Sequence, residues 1–298
     1  MNKWLFAFLV VLTTSLMGSA FTIGKIGLAY ATPIMLVALR FLLAGVLMAI
    51  IVKCLRIPYP KHVSVWLKIA LIGFFQTAAV MGCIFVSLRT ITAGQSSILT
   101  FTNPLLVVLF GTLFMKMTYS WRQWLGVILG FIGVLITLGA QVDLRIGTLY
   151  GFLSAISWAI GTLLIKKWGT QINTWVLTAY QMLFGGLILF VGSFLLEDPS
   201  FQITPISIAI LVWLALMASI VQFAVWFYLL QKGDPGKTSA FLFLAPFFGV
   251  LTGWLLLDES ISWNVILGGV CIFIGIFLVN WTARLRMERE AIHHDAKL

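Results

Sequence analysis

Charge is what this chain has least of. Across 298 residues, Asp, Glu, Lys and Arg make up 9%, where a soluble domain carries about a quarter. A water-soluble globule of this length is excluded. The nine acids are Asp143, Glu197, Asp198, Asp234, Asp258, Glu259, Glu288, Glu290 and Asp295. All fall in linkers, at the ends of hydrophobic runs or in the tail, and so do His62, His293 and His294. No carboxylate or imidazole is left within the runs to relay protons. A nucleophile–base pair or metal cluster has nothing to be built from there, so an enzyme is not expected, nor a metal or cofactor. Cysteine is scarce too. Cys54, Cys83 and Cys271 stand alone, without disulfide or zinc spacing. A phosphate-binding loop is also missing. Gly236-Lys237-Thr238 has Gln231 where the motif needs glycine, and no strand precedes it, which excludes ATP binding there.

Hydrophobic residues make up 61% of the chain, and the mean hydropathy is +1.08. Apolar runs near the length of a membrane span cover 4–22, 34–52, 69–87, 95–115, 121–140, 147–165, 174–196, 206–230, 237–257 and 263–281. Runs of this length read as transmembrane helices. The pattern predicts an all-α polytopic membrane protein of ten spans, with linkers too short for a soluble domain. The first run has the outline of a signal peptide, but Lys25 and nine further runs favour an uncleaved helix. With the N-terminus placed in the cytoplasm, 15 basic residues fall on that side and three, Lys25, Arg89 and Arg145, on the other. Arg40 completes the 19. Such a bias predicts a multi-pass protein of the cell membrane with both termini cytoplasmic. Topology thus accounts for the net charge of +10; the lipid bilayer, not nucleic acid, is the expected partner.

The chain also repeats itself. Gly94, Ser97, Pro104, Gly111, Ser120, Trp121, Gly126 and Gly133 recur 142 positions on as Gly236, Ser239, Pro246, Gly253, Ser262, Trp263, Gly268 and Gly275. At a displacement of 141, Ala38–Gly45 lies over Ala179–Gly186, which pairs Arg40 with Gln181. Five spans per copy is odd, so the second copy is expected to be inverted. The predicted organisation is a first five-helix repeat over 1–140, an inverted second repeat over 141–283, and a charged cytoplasmic tail over 284–298. In such proteins the substrate site lies where the repeats meet.

Within the spans, Pro104 and Pro246 stand near the centres of the fourth and ninth. Proline in a helix interior removes a hydrogen bond and frees carbonyls that need partners at membrane depth. Their recurrence points to paired hinges or broken helices beside a central cavity, against the alternative of a simple kink. Arg40 is the formal charge well inside a span. Arginine at the bilayer centre costs about 2.5–3.5 kcal/mol on insertion scales. Either it faces the cavity and attracts a carboxylate or other anion, or it snorkels outward or binds a helix-end carbonyl. Gln76, Asn103, Trp158, Gln181, Gln222 and Trp226 are the other midplane groups; each either contacts substrate or bonds between helices. A pocket made of them is amphipathic and suits an amino acid or a similar small metabolite. Gly126, Gly130 and Gly133 form a small-residue stripe, repeated in part by Gly268 and Gly275. It serves helix packing within one chain or, alternatively, dimerisation; a monomer or a homodimer is expected.

These residues resemble the drug/metabolite transporter superfamily, and within it the EamA-type exporters. Met17-Gly18-Ser19-Ala20-Phe21 with Lys25 is similar to the first-span Trp-Gly-Ser-Asn-Phe…Lys signature, with two substitutions. Leu39–Ala44 is similar to the second-span signature, Ser157-Trp158-Ala159 to the opening of the second repeat, and Leu257-Asp258-Glu259 with Gly268 and Gly275 to the end of the ninth span and the tenth. The chain departs where the family's fourth span often ends in an acid: here stand Lys116 and Met117. The resemblance implies a cavity between the halves that opens alternately to each side, with small metabolites usually moving outward. The expected function is a secondary transporter exporting amino acids or related small metabolites, with Arg40, Gln76, Asn103, Trp158, Gln181 and Trp226 as candidate substrate contacts and Pro104 and Pro246 as hinges. The alternative is a membrane-embedded scaffold or receptor subunit without transport.

Overall fold

The computed structural model describes residues 3–138, 146–232, 241 and 244–278. The link across 140/141, the turn at Asp234-Pro235-Gly236, the start of the ninth run, and the tail with His293 and His294 lie outside the described residues. Among those described, regular structure is helical apart from one isolated antiparallel bridge, Ala31 with Phe201.

In chain order the helices are α1 (Lys3–Gly27), α2 (Pro33–Cys54), α3 (Val63–Ser87), α4 (Ala93–Met115), α5 (Trp121–Leu138), α6 (Ile146–Trp168), α7 (Thr174–Leu196), α8 (Pro205–Lys232), α9 (Leu244–Leu257) and α10 (Trp263–Leu278). Seven of them, α1 to α4 and α6 to α8, are long and apolar enough to cross a membrane; α5, α9 and α10 are shorter apolar helices as described. Several start signals are visible locally. Pro33 opens α2, where its missing N–H costs nothing. Thr92 with Gln95, and Thr204 with Ser207, form reciprocal capping pairs at the starts of α4 and α8.

Two helices are widened mid-run. α3 passes through a π segment at Phe74–Ala79 and α8 through one at Leu216–Val221. The two are 142 residues apart, the displacement of the sequence repeat. Lys116 and Asp258, also 142 apart, both end their helices in the left-handed region at φ 52°. α4 is broken at Phe101–Thr102 into Ala93–Thr100 and Asn103–Met115. Pro104 therefore lies in the first turn of the second segment and not in a helix interior. Its missing N–H is one that no carbonyl of that segment would have accepted. Pro246 lies two residues after Leu244, where the description of α9 begins.

Small residues set the closest helix approaches, and the contacts are reciprocal. A Cβ on Gly45 of α2 would sit 2.7 Å from the Leu183 backbone of α7, and one on Gly186 of α7 would sit 2.8 Å from the Leu42 backbone of α2. Gly45 and Gly186, like Leu42 and Leu183, are 141 apart. At the α5–α10 contact, a Cβ on Gly133 would stand 2.6 Å from the Gly268 carbonyl oxygen and one on Gly275 2.6 Å from the Gly126 carbonyl oxygen; Gly126 and Gly268, like Gly133 and Gly275, are 142 apart. The glycine stripe on α5 thus packs within the chain. Dispersion between closely approaching backbones is what holds helices together where lipid removes the hydrophobic incentive. The buried core gathers around Phe21, Leu36, Phe41, Phe85 and Met182, while Trp4, Phe8, Leu113, Phe114 and Leu196 are exposed, as suits an apolar solvent.

Candidate functional site

Where α1, α2, α3, α4, α6 and α8 converge they leave an internal cavity of about 40 Å3. Its wall is chiefly apolar: Met17, Phe21, Met81, Ile84, Phe85 and Phe101, with Arg40, Trp158 and Gln222 as its larger polar-bearing side chains. Arg40 is 3% exposed. Its Nε donates to Ser219 Oγ at 3.0 Å and its Nη2 to the Ala218 carbonyl at 2.8 Å. Both acceptors belong to the π segment of α8, where wider turns release backbone carbonyls from the helical ladder. The guanidinium carbon also lies 4.8 Å from the Phe41 ring centroid, within cation–π range. Arg40 therefore reaches a released helix carbonyl and lines the cavity at once; snorkelling to the surface is not its conformation. The π segment positions it, and it in turn satisfies the π segment.

Trp158 stands opposite on α6, packed on Phe101 at a centroid distance of 5.4 Å. Phe101 is part of the break in α4, so the break places an aromatic wall in the cavity. Phe21 of α1 meets the same ring at 6.0 Å. Gln222, the first residue after the π segment of α8, adds an amide and uses its backbone carbonyl to accept from Thr13 Oγ1 at 3.1 Å.

Of the expected substrate contacts, Arg40 and Trp158 are brought together around the cavity. Gln76, Asn103, Gln181 and Trp226 are not among its lining residues. Gln76 lies in the π segment of α3 against Gly161 of α6. Gln181 is buried on α7, its backbone against Gly73. Neither Gln76 Oε1 nor Gln181 Oε1 has a hydrogen-bond partner. Asn103 is buried at the start of the second α4 segment. Trp226 lies one turn beyond Gln222 on α8 and is half-buried. The apolar lining was invisible beforehand. Met17, Ala20 and Phe21, and again Met81, Ile84 and Phe85, are spaced to share a helix face, but the other faces are just as apolar. Among the described residues no three His, Cys, Asp or Glu side chains gather to hold a metal.

A second, larger recess of about 440 Å3 opens at one end of the bundle. Lys25, Tyr30, Thr32, Arg89, Ser200 and Gln202 supply its polar wall. Thr32 N–H donates to the Ser200 carbonyl at 3.1 Å and Gln202 N–H to the Tyr30 carbonyl at 2.8 Å, which ties the α1–α2 link to the α7–α8 link. Two acids seal helix starts at this end. Glu197 accepts from the Met35 N–H at 2.8 Å and from Ser193 Oγ at 2.9 Å. Glu259 accepts from Lys25 Nζ and from the Ala93 N–H, each at 2.8 Å. Carboxylates at helix N-termini are favoured by the unsatisfied N–H groups and the macrodipole.

A bundle of apolar helices, seven of them long enough to cross a membrane, is the architecture of a polytopic membrane protein. The profile of the EamA-like transporter family matches the sequence twice, over residues 4–139 and 145–281, and the chain belongs to that family. Its relatives are transporters and not enzymes. It is 28% identical over 281 residues to the uncharacterized transporter YvbV of Bacillus subtilis (strain 168), covering 93% of this chain and 90% of that one. It is 26% identical over 283 residues to a probable amino-acid metabolite efflux pump of Escherichia coli (strain K12), covering 91% and 93%. A crystal structure superposes with a TM-score of 0.66 at 18% identity, over 94% of this chain and 98% of that chain, a likeness of fold.

Proposed function

We propose that this protein is a secondary transporter that exports amino acids or related small metabolites by alternating access through the cavity at the meeting of its halves. The observation that carries the reading is the cavity itself: an apolar and aromatic wall with one guanidinium, at the junction of helices from both family matches. Apolar surface with a few convergent polar groups suits an amphipathic metabolite. At about 40 Å3 it is far below the several hundred Å3 of an occupied small-molecule site. The form described here is contracted, and the helices must part to admit a substrate.

In this reading ten spans form two inverted five-helix repeats, 1–140 and 141–283, followed by a cytoplasmic tail. The reciprocal glycine contacts, the two π segments and the two left-handed helix ends, all at the repeat displacement, support a two-fold relation between the halves. The charge bias supports cytoplasmic termini in the cell membrane. The probable amino-acid metabolite efflux pump among the relatives supports the substrate class. Pro104 and Pro246 act near the pivots, and the chain works as a monomer or a homodimer. Gln76, Asn103, Gln181 and Trp226 take part once the cavity widens.

The test is efflux from cells loaded with a labelled metabolite panel. Cells expressing the protein are expected to lose one or more members faster than cells with empty vector. Unchanged efflux across the panel, together with no ligand-induced rise in the melting temperature of the purified protein, would leave the scaffold reading standing instead.

A further inference from the structure

The cavity and the recess are neighbours. On α1, Phe21 lines the cavity and Lys25 the recess; Ile84 and Phe85 of α3 line the cavity, and Leu88, the residue that follows the helix, lines the recess. Each step is one helical turn, about 6 Å at 1.5 Å per residue. The wall between them is therefore a single layer of side chains. Part of it is a plug: the Phe85 ring tip is 2.9 Å from where a Cβ on Gly24 would stand, so the ring sits there only because residue 24 has no side chain. Beside it Thr22 Oγ1 and Thr252 Oγ1 are hydrogen-bonded at 2.8 Å, joining α1 to α9.

Over this layer lies a clasp. Lys25 Nζ from α1 bonds Glu259 Oε1 at 2.8 Å and the Ile91 carbonyl at 3.0 Å. Glu259, just after α9, also takes the Ala93 N–H and the Gly94 N–H at the start of α4. Three segments from both halves are thus tied through one carboxylate that is largely withdrawn from solvent. Charge-assisted hydrogen bonds of this kind are about twice as strong as neutral ones.

The opposite end of the bundle carries the counterpart of this clasp without its charge. Lys166 is displaced by 141 from Lys25, and Met117 by 142 from Glu259. Met117 follows a left-handed residue, Lys116, as Glu259 follows Asp258. The Met117 N–H bonds the Gly111 carbonyl at 3.0 Å, as the Glu259 N–H bonds the Gly253 carbonyl at 3.3 Å. The two side chains even meet, with Lys166 Nζ 3.7 Å from Met117 Sδ. The backbone device is kept at both ends, but a thioether offers the ammonium far less than a carboxylate does.

We propose that Lys25 and Glu259 form the gate between the central cavity and the recess, and that methionine at 117 leaves the opposite gate weak, so that the protein rests closed at the recess end. This rests on the alternating-access reading. With the orientation set by the charge bias, the resting state opens toward the cytoplasm, where an exporter loads. The recess is already of metabolite size, so release needs only the one-turn wall and its clasp to part.

The experiment is side-specific thiol labelling of the full-length protein. Cys54, Cys83 and Cys271 are replaced by alanine, and T252C, at the level of the wall, is the reporter. A membrane-impermeant maleimide is applied to intact cells and, separately, to inverted vesicles. T90C, exposed beside the recess, shows which side the recess faces. E259M and K25M are each expected to raise reporter labelling from the recess side about tenfold, the population shift expected when a charge-assisted hydrogen bond is lost. E259Q, which keeps an acceptor for the α4 N–H groups, is expected to fall between. M117E, which supplies the missing carboxylate beside Lys166, is expected to raise recess-side labelling as well and to lower labelling from the other side. Labelling of E259M and K25M at the parental rate, in protein that is monodisperse on gel filtration, overturns the gate. A shift in those two with M117E at the parental rate overturns the asymmetry. Metabolite efflux run in parallel separates the two readings: normal efflux with unmoved labelling defeats the gate alone, whereas shifted labelling without efflux of any metabolite defeats the transport reading alone.

Discussion

Arg40 on α2 and Gln181 on α7 occupy matching places, and each of their helices packs beside a π segment of the other half. The surroundings match in backbone and differ in chemistry. On one side Arg40 donates to Ala218 and Ser219 of the α8 segment. On the other, Gln181 is shorter and neutral, and its Oε1, like Gln76 Oε1 in the α3 segment, has no partner. Duplication preserved the helices' shape, which depends on glycine contacts and register. It did not preserve the polar groups, which are satisfied on one side and unpartnered on the other. One half supplies the cation of the cavity and the other half receives it.

That contrast is breakable. The largest effect is expected from R40Q, which places the glutamine of the matching position at 40. It should reduce efflux to the empty-vector level, because the cavity loses its charge, and it should lower the melting temperature, because hydrogen bonds from a charged group are worth about 1.5–3 kcal/mol. Efflux at the parental rate in folded R40Q would remove Arg40 as an essential contact. Next comes packing: G45L is expected to abolish monodisperse protein on gel filtration, and G186L equally, since each forces a side chain into the partner backbone; unequal losses would show that the reciprocal contacts are not equivalent in energy. Third, Q181M should raise the melting temperature, by about 1–3 kcal/mol of stability, because an unpartnered buried polar atom is replaced by an apolar one of similar length. An opposite sign there would mean that Gln181 finds a partner, substrate or water, in another state. The smallest effect is expected from G192A, on the same helix but with nothing within 4 Å of its added Cβ. Helix propensity predicts a gain of at most about 1 kcal/mol, read as a small rise in melting temperature.

Much of the architecture was readable from the chain. The apolar runs 34–52, 69–87, 147–165, 174–196 and 206–230 each fall on a helical stretch, while 95–115 falls on two helical segments; length and hydropathy alone decide what a bilayer accepts. At one point the backbone agrees with the 142-residue register: Lys116 and Asp258 both take φ 52°. The widening of α3 and α8 was not, since Phe74–Ala79 and Leu216–Val221 contain neither proline nor glycine. The break in α4 falls two residues before Pro104, for the chain stops the first segment ahead of the proline instead of bending at it. Arg40 and Trp158 stood out as polar-bearing groups in an apolar field, and both line the cavity. Lys25 was noticed as a charge and Glu259 as a helix-end acid, but their union spans 234 residues; only a folded chain brings them together.

The narrowness of the central cavity has a further consequence, for the cell's energy and not for the cargo. A membrane that stores energy as a proton gradient is short-circuited by any continuous file of water. Some 40 Å3, on a measure by which about 10–15 Å3 holds one water, is room for only a few water molecules beside Phe21, Phe85 and Phe101. A wall so largely apolar offers a file of water few hydrogen-bond partners. While the protein holds this contracted form, little proton leak is expected through the cavity, which would spare the gradient on which the cell's other transport depends.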